Sequence, residues 1–374
     1  MDWTYIIPIV AFVLGFPIAY LIWDRALKGK KIKLLNNLNI STSYNIAATE
    51  FHLAPIRMTT GLNFFKDKLT TNIGATFDPY GLDAEFKLSG ANAGLFRLKA
   101  NKLYIRKGNI KPEIKWYDLT ISAQTKSRSF QQTFRLVKDE FIRNSVIAHR
   151  GAWKNTGATE NSILALQQAI RLGCQGSEFD VHMTVDSVPV INHDPTIQGL
   201  IISTSSSEKL LALKLPSGEN MPSLESYIKA GMTQNNTKLI LEIKSTINKE
   251  RALLLTKKVM DVVIKLKAQA WIDYISFDYA ICMELMRLDP YARVAYLNGD
   301  KTPAMLATDK FWGLDYNQSV YQKHPDWIAQ AKQKGLTINV WTVNDPALLK
   351  SFLDQKIDFI TTNEPELLLK MINK

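Results

Sequence analysis

Along the chain the pattern of apolar and polar positions changes texture twice. From Tyr5 to Trp23 roughly nineteen residues pass without a charge, enough for a helix to cross a bilayer core. Trp3 and Tyr5 at one end, and Tyr20 and Trp23 at the other, suit the two interfacial belts. Pro8 and Pro17 are of a kind that membrane helices tolerate. The start carries Asp2 and no small-x-small cleavage pattern follows, so this segment reads as an uncleaved single-pass anchor. A buried helix of a soluble protein is the alternative. From Ile40 to about Asp139 short alternating stretches take over: Asp83–Ser89, Phe96–Lys99, Lys102–Arg106, Tyr117–Ser122 and Thr133–Leu136. Turn residues such as Asp78-Pro79-Tyr80-Gly81 and Gly108-Asn109 separate them, which predicts a small all-β sandwich.

After Arg143 strand and helix patterns alternate. Strands are predicted at Ser145–Ala148, Ser177–Val181, Lys238–Ile243, Tyr274–Phe277, Val294–Leu297, Trp312–Leu314, Thr337–Trp341 and Phe359–Thr362. Helices are predicted between most of them, at Ser162–Leu172, Leu224–Ala230, Glu250–Leu266, Ile281–Leu288, Pro325–Lys334, Ala347–Leu353 and Pro365–Ile372. This is the α/β pattern of a (β/α)8 TIM barrel, whose active site lies at the C-terminal ends of the strands. The expected organisation is therefore an anchor and basic linker at 1–33, a β-sandwich at 34–142 and a barrel at 143–374. Met183 to His193 reads as a hairpin turning at Asp186-Ser187, folding His193 over the barrel mouth. Pro195 to Pro222 reads as a long flexible loop, placed where it could choose among substrate head groups.

A net charge of +11 suggests anionic partners such as phosphates or acidic lipid, or simply good solubility. No arginine-rich repeat or basic-aromatic interleaving points to nucleic acid. Cys174 and Cys282 lack metal spacing and form no disulfide framework, so they read as small buried hydrophobes. Arg25, Lys28, Lys30, Lys31 and Lys33 follow the apolar span and would place the bulk of the chain in the cytoplasm. The β module that follows resembles a usually extracytoplasmic kind, and this resemblance narrowly outweighs them.

The chemistry concentrates between His149 and His193. Glu178 and Asp180, two apart in a strand, share one face, where paired carboxylates either hold a hard cation or keep a proton. His149-Arg150 ends the first strand, Glu178 and Asp180 the second, Glu242 and Lys244 the third, and Asn339 and Trp341 the seventh. Residues kept for structure alone would scatter over both ends of a barrel; these converge on one mouth.

The ordered set His149-Arg150-Gly151, Glu160-Asn161, Glu178-Phe179-Asp180-Val181, Thr184-Val185-Asp186, Val190 through Asp194, Leu241-Glu242-Ile243-Lys244, Asn339 to Asn344 and Asp358 to Asn363 resembles the glycerophosphodiester phosphodiesterase family over about Arg143 to Lys374. The chain departs from the family pattern at Thr159, usually proline, at Ser187, usually glycine, and at Asn363, usually aspartate. Glu85 to Val137, with Leu95-Phe96-Arg97-Leu98 and then Tyr117, Leu119 and Ile121, resembles the second half of a cadherin-type repeat, without its calcium-ligand motifs.

The family resemblance implies a metal-dependent hydrolase releasing an alcohol and glycerol 3-phosphate from a glycerophosphodiester. Glu178, Asp180 and Glu242 would hold one divalent cation, Mg²⁺ or Ca²⁺. Arg150 and Lys244 would neutralise phosphate charge, Glu160 would orient Arg150 or His149, and Trp341 would wall the glycerol or lipid side. His149 as base and His193 as acid would serve an attack by the substrate's own hydroxyl, with the two roles interchangeable. Duller readings stand beside these: Lys244 snorkelling from its strand end, and Trp341 filling the barrel top. His182 reads as structural, and His52 and His324 as ordinary surface groups. Lysophospholipase D activity on membrane lipids is the alternative within this chemistry. An adhesion or scaffold protein with an inactive barrel is the alternative outside it; loss of a metal carboxylate or a motif histidine would favour it, and none of these is lost.

Overall fold

A computed structural model of the chain describes residues 57–58, 85–99, 102–106, 111, 113–124, 129–289 and 292–373. The apolar span Tyr5–Trp23 and His52 lie outside these residues. Among the described residues no helix is long and apolar enough to cross a membrane.

Eight strands form the barrel: β1 (Val146–Ala148), β2 (Gly176–Met183), β3 (Lys238–Ile243), β4 (Ile272–Ser276), β5 (Val294–Tyr296), β6 (Gly313–Asn317), β7 (Thr337–Trp341) and β8 (Phe359–Thr362). Each pairs in parallel with the next, and β8 pairs with β1, so the sheet closes and leaves no edge within the ring. Alternation along each strand splits the core in two. Residues such as Phe179, Leu241, Tyr274 and Tyr316 face outward into the main core beneath the helices. Ile147, Ile240, Ile275, Ala295 and Leu297 fill the barrel interior, with Phe277, Trp341 and Phe359 packed on them. Gly176 is required in that interior, since a Cβ there would lie 2.8 Å from Ile147 Cδ1 and 3.0 Å from Ile240 Cγ1.

The helices begin where the sequence supplies caps. Ser162 accepts from the Ala165 amide ahead of Ile163–Leu172, Asn248 from Arg251 ahead of Lys249–Leu266, and Asp278 from Ala280 ahead of Tyr279–Leu288. The structure adds three short helices to those expected, Ser207–Leu211, Pro303–Thr308 and Gln318–Lys323. It also moves the sixth strand, expected at Trp312–Leu314, to Gly313–Asn317.

The stretch expected to be a flexible loop is ordered, which corrects that reading. A small hairpin pairs Thr196–Ile197 with Leu200–Ile201, and a helix follows at Ser207–Leu211. Ile202, Leu210, Leu215 and Met221 then bury a separate small core with Val190. Burial of five apolar side chains replaces the conformational freedom of a loop.

Ahead of the barrel, Glu85–Ser89, Trp116–Gln124 and Ser129–Lys138 form an antiparallel sheet, with Arg57–Met58 parallel on its edge. Phe96–Lys99 and Lys102–Ile105 form a separate hairpin. Tyr117, Leu119 and Ile121 alternate inward as the sequence pattern requires. This sheet meets the barrel at the N-terminal ends of the strands. Trp116 and Phe141 pack edge-on against Trp271, which is fully buried just ahead of β4. Asp118 takes Arg135 at 2.8 Å and Lys267 at 2.8 Å.

Candidate active site

At the opposite, C-terminal end, the register of β2 and β3 sets Asp180 beside Glu242 and Glu178 beside Ile240. Glu178, Asp180 and Glu242 are all buried, and one oxygen from each lies within 4.8 Å of the others. Three acids in so small a volume cannot all ionise unaided. Burial, reinforced by Asp180 and Glu242, pushes the Glu178 carboxyl well above its usual range. Burial and Asp180 likewise push Glu242 up to about 7. Burial acts on Asp180 in the same direction, but Lys244, the Asn161 amide and the nearby cations hold it below the ordinary value. Lys244 Nζ lies 3.1 Å from Asp180 and 2.8 Å from Glu242. Glu178 Oε1 is buried with no partner of its own. An all-oxygen set with an orphaned oxygen fits a hard divalent cation rather than a thiolate-bound one.

The loop after β1 is built around this set. Arg150 and Gly151 both take positive φ, 56° and 81°. A Cβ on Gly151 would come within 2.6 Å of Ala165 Cβ, so only glycine lets the loop pass the helix there. The turn aims the Arg150 amide at Glu178 Oε2, 2.8 Å away. The Arg150 guanidinium is held by Glu160 at 3.0 Å and stands 3.9 Å from Asp180. His149 donates from Nδ1 to Asn363 Oδ1 at 2.8 Å, because that oxygen can only accept. Its Nε2 is therefore left with a free lone pair. Burial, then Arg150, pulls the His149 ring down to about 4, so it is neutral at pH 7.

His193 follows the hairpin strand Pro189–Ile191, which pairs with β2, and lies at the mouth. Its Nδ1 lies 2.7 Å from the Asp194 carboxylate. Together with Arg150, Lys244, Glu178, Glu242 and Trp341, the two histidines line a cleft of about 510 Å³ that opens to solvent. Trp341 packs edge-on against Phe277 and donates from Nε1 to the Asp315 carbonyl at 2.9 Å. Of the nine expected site residues, seven line this cleft, while Glu160 and Asp180 hold groups that do.

A model of the glycerophosphoryl diester phosphodiesterase family matches residues 149–367, more than half of the chain. The chain belongs to this family. It is an enzyme of that class, a phosphoric diester hydrolase. A glycerophosphodiester phosphodiesterase of Caldanaerobacter subterraneus is 25% identical over 62% of this chain and 99% of its own length. The crystal structure of one from Parabacteroides distasonis is 43% identical, covers 63% of this chain and 98% of that one, and superposes with a TM-score of 0.60. An Oleispira antarctica phosphodiesterase, solved with the product sn-glycerol-3-phosphate, shares the fold at 23% identity over 62% of this chain and 97% of that one (TM-score 0.53). A second model, of the LptD protein, matches residues 22–80, of which only 57–58 are described.

The departures of this phosphodiesterase from its family pattern have local explanations. Thr159 Oγ1 bonds Ser217 through both its hydroxyl and its amide, at 2.9 Å each, and so pins the ordered insertion to the mouth. Ser187 sits at the hairpin turn with φ of 63°, a conformation that glycine adopts without strain. Asn363 supplies the acceptor for His149. Several residues were not expected in the site. Asn161 clamps Asp180, donating to its carboxylate at 2.8 Å and accepting from its amide at 3.0 Å; its place beside Glu160 was the available signal. His182 has the structural role expected of it: its Nε2 lies 2.9 Å from the His193 carbonyl and steadies that segment. His324 is an exposed surface group, as expected, and stacks on Trp327.

Proposed function

We propose that the enzyme cleaves glycerophosphodiesters to glycerol 3-phosphate and an alcohol, using one divalent cation and two histidines of unlike environment. The observation that carries this reading is the buried triad Glu178, Asp180 and Glu242 facing His149 and His193 across one cleft. Mg²⁺ or Ca²⁺ held by the three carboxylates would supply Lewis-acid polarisation of a phosphoryl oxygen. Arg150 and Lys244 add positive charge beside the phosphate, and Trp341 offers its ring to the carbon chain.

The unlike surroundings of the two histidines support a division of roles between them. Burial and the Arg150 charge keep His149 unprotonated and ready to act as base, while Asn363, a neutral acceptor, takes its Nδ1 proton and leaves Nε2 free. The Asp194 carboxylate, an anionic acceptor 2.7 Å from Nδ1, orients the His193 ring at the mouth, and His193 serves as acid. His149 Nε2 takes the proton of the substrate's own glycerol hydroxyl as its oxygen attacks phosphorus. The bond to the leaving alcohol breaks as His193 returns a proton to that oxygen. Water then opens the cyclic phosphate with the roles reversed, giving glycerol 3-phosphate and restoring both rings.

Membrane anchoring through Tyr5–Trp23, with the catalytic part outside the cytoplasm, is proposed on sequence grounds alone, as is division of the chain near residues 33 and 142. The test uses the full chain with glycerophosphocholine, glycerophosphoethanolamine and lysophosphatidylcholine. EDTA should abolish turnover and Mg²⁺ or Ca²⁺ should restore it. Full activity of Glu242→Gln protein carrying no metal would refute the metal assignment, and turnover confined to the lysolipid would favour lysophospholipase D.

A further inference from the structure

One buried carboxylate in the cleft takes no part in the chemistry above. Asp315 lies on β6, inside the barrel, opposite Asn339 of β7. It is 1% exposed, it borders the cleft alongside Glu242 and Trp341, and it does not belong to the metal-binding triad. Its Oδ1 has no hydrogen-bond partner. Leaving a buried polar oxygen unpaired costs roughly 1–3 kcal/mol, and such groups at the wall of a cleft gain a partner when the cleft is filled.

The neighbours define what that partner is. Trp341 is locked by its bond to the Asp315 carbonyl, and with Phe277 and Leu297 it gives the wall an apolar face for a short carbon chain. A phosphate or carboxylate would be repelled by a second acid so close to Glu242. A hydroxyl suits, because it can donate to the oxygen or accept from it, whichever protonation state Asp315 holds. A glycerophosphodiester carries two free hydroxyls: one beside the phosphate ester, which attacks phosphorus, and one terminal.

We infer that Asp315 receives the terminal, non-attacking hydroxyl of the glycerol moiety and thereby selects glycerol over smaller diols. The inference rests on the proposed reaction and adds the orientation of its substrate: glycerol against Trp341 and Asp315, and the leaving alcohol toward the open side near His193. Asp315 is then a specificity residue.

The test compares glycerophosphoethanolamine with the 2-hydroxyethyl ester of phosphoethanolamine, which keeps the attacking hydroxyl and lacks the terminal one. The wild-type enzyme should prefer the glycerol ester by about a hundredfold in kcat/KM, the scale set by a buried charged or polar group left unpaired. In Asp315→Ala the preference should collapse to within a few-fold of unity, the loss falling on the glycerol ester. Asp315→Asn keeps the shape of the site should the alanine variant not fold; its preference should shrink by at least tenfold. Retention of the full preference in both variants, or equal loss on both esters, overturns the assignment to Asp315 while leaving the reaction standing. A wild-type enzyme inactive on every glycerophosphodiester overturns the reaction, and this inference with it.

Discussion

The contact between His149 and Asn363 gives a change small enough to read electrostatically: N363D. The substitution puts a carboxylate oxygen where a neutral amide oxygen now accepts, 2.8 Å from His149 Nδ1. With charge centres about 4 Å apart and an effective dielectric of about 20, the attraction to a protonated ring is about 4 kcal/mol. That corresponds to about 3 pKa units, and screening at the half-exposed loop trims it to about 2. His149, now held down near 4 by burial and Arg150, should rise to about 6. Since only the neutral ring can act as base, the acid limb of the kcat/KM profile should move up by the same amount. At pH 5.5 the variant should keep about a quarter of its base form, against nearly all in the wild type, while above pH 8 it should be as active or more so. The linked effect on folding has a definite sign. A lowered pKa in the folded state means stability that is full above 6.5 and is lost as pH falls toward 4, by about 3 kcal/mol for a shift of this size. In N363D that window should narrow to the upper part of the range. Profiles of glycerophosphocholine turnover from pH 4.5 to 8.5, paired with NMR titration of the His149 ring, make the comparison. Superimposable acid limbs and an unmoved ring would refute the assignment of His149 as a base held neutral by its surroundings.

Two further outcomes are expected. His149→Ala and His193→Ala should each lower turnover a hundredfold or more, and a diester with a nitrophenol leaving group should rescue His193→Ala alone, because that departure needs no proton; rescue of His149→Ala instead would exchange the two roles. Trp271→Ala, which empties the junction of Trp116, Phe141 and the barrel floor, should cost about 3–5 kcal/mol in urea unfolding and leave kcat of the folded protein within a few-fold; a large loss of kcat would show that the two ends of the barrel are coupled.

What the sequence disclosed and what it hid follow from how each feature is encoded. The barrel was legible because strand and helix periods alternate along it, and the mouth because polar residues cluster at strand ends such as Glu242 and Trp341. Short elements were not: Pro303–Thr308 and Gln318–Lys323 each span under two turns, too few for a period to emerge. The insertion hid its core because Ile202, Leu210, Leu215 and Met221 follow neither period, and their burial depends on Val190 from a separate strand. Asp315 escapes the sequence pattern because the sixth strand reads as ending at Leu314, three residues short of its end at Asn317. With β6 running to Asn317, strand alternation alone would have turned Asp315 inward beside Asn339. His182 acts through a carbonyl eleven residues away, a contact that only the hairpin creates.

The parallel barrel also separates two tasks. All eight strands run the same way, so every residue just ahead of a strand lies at one end and every residue just after lies at the other. Asn235, Lys267 and Trp271 precede β3 and β4, and they are the residues that receive the N-terminal sheet. His149, Lys244 and Asn363 follow β1, β3 and β8, and they form the mouth. Asp118 can therefore exchange ion pairs with Arg135 and Lys267 without reaching the triad, which is screened from it by the interior layer of Ile147, Ile240 and Ile275. A partner or surface bound through residues 85–138 would leave the cleft open to its substrate. Among the described residues, Ile275 and Asp315 border both the cleft and the interior space beneath it, and of the two only Asp315 is polar.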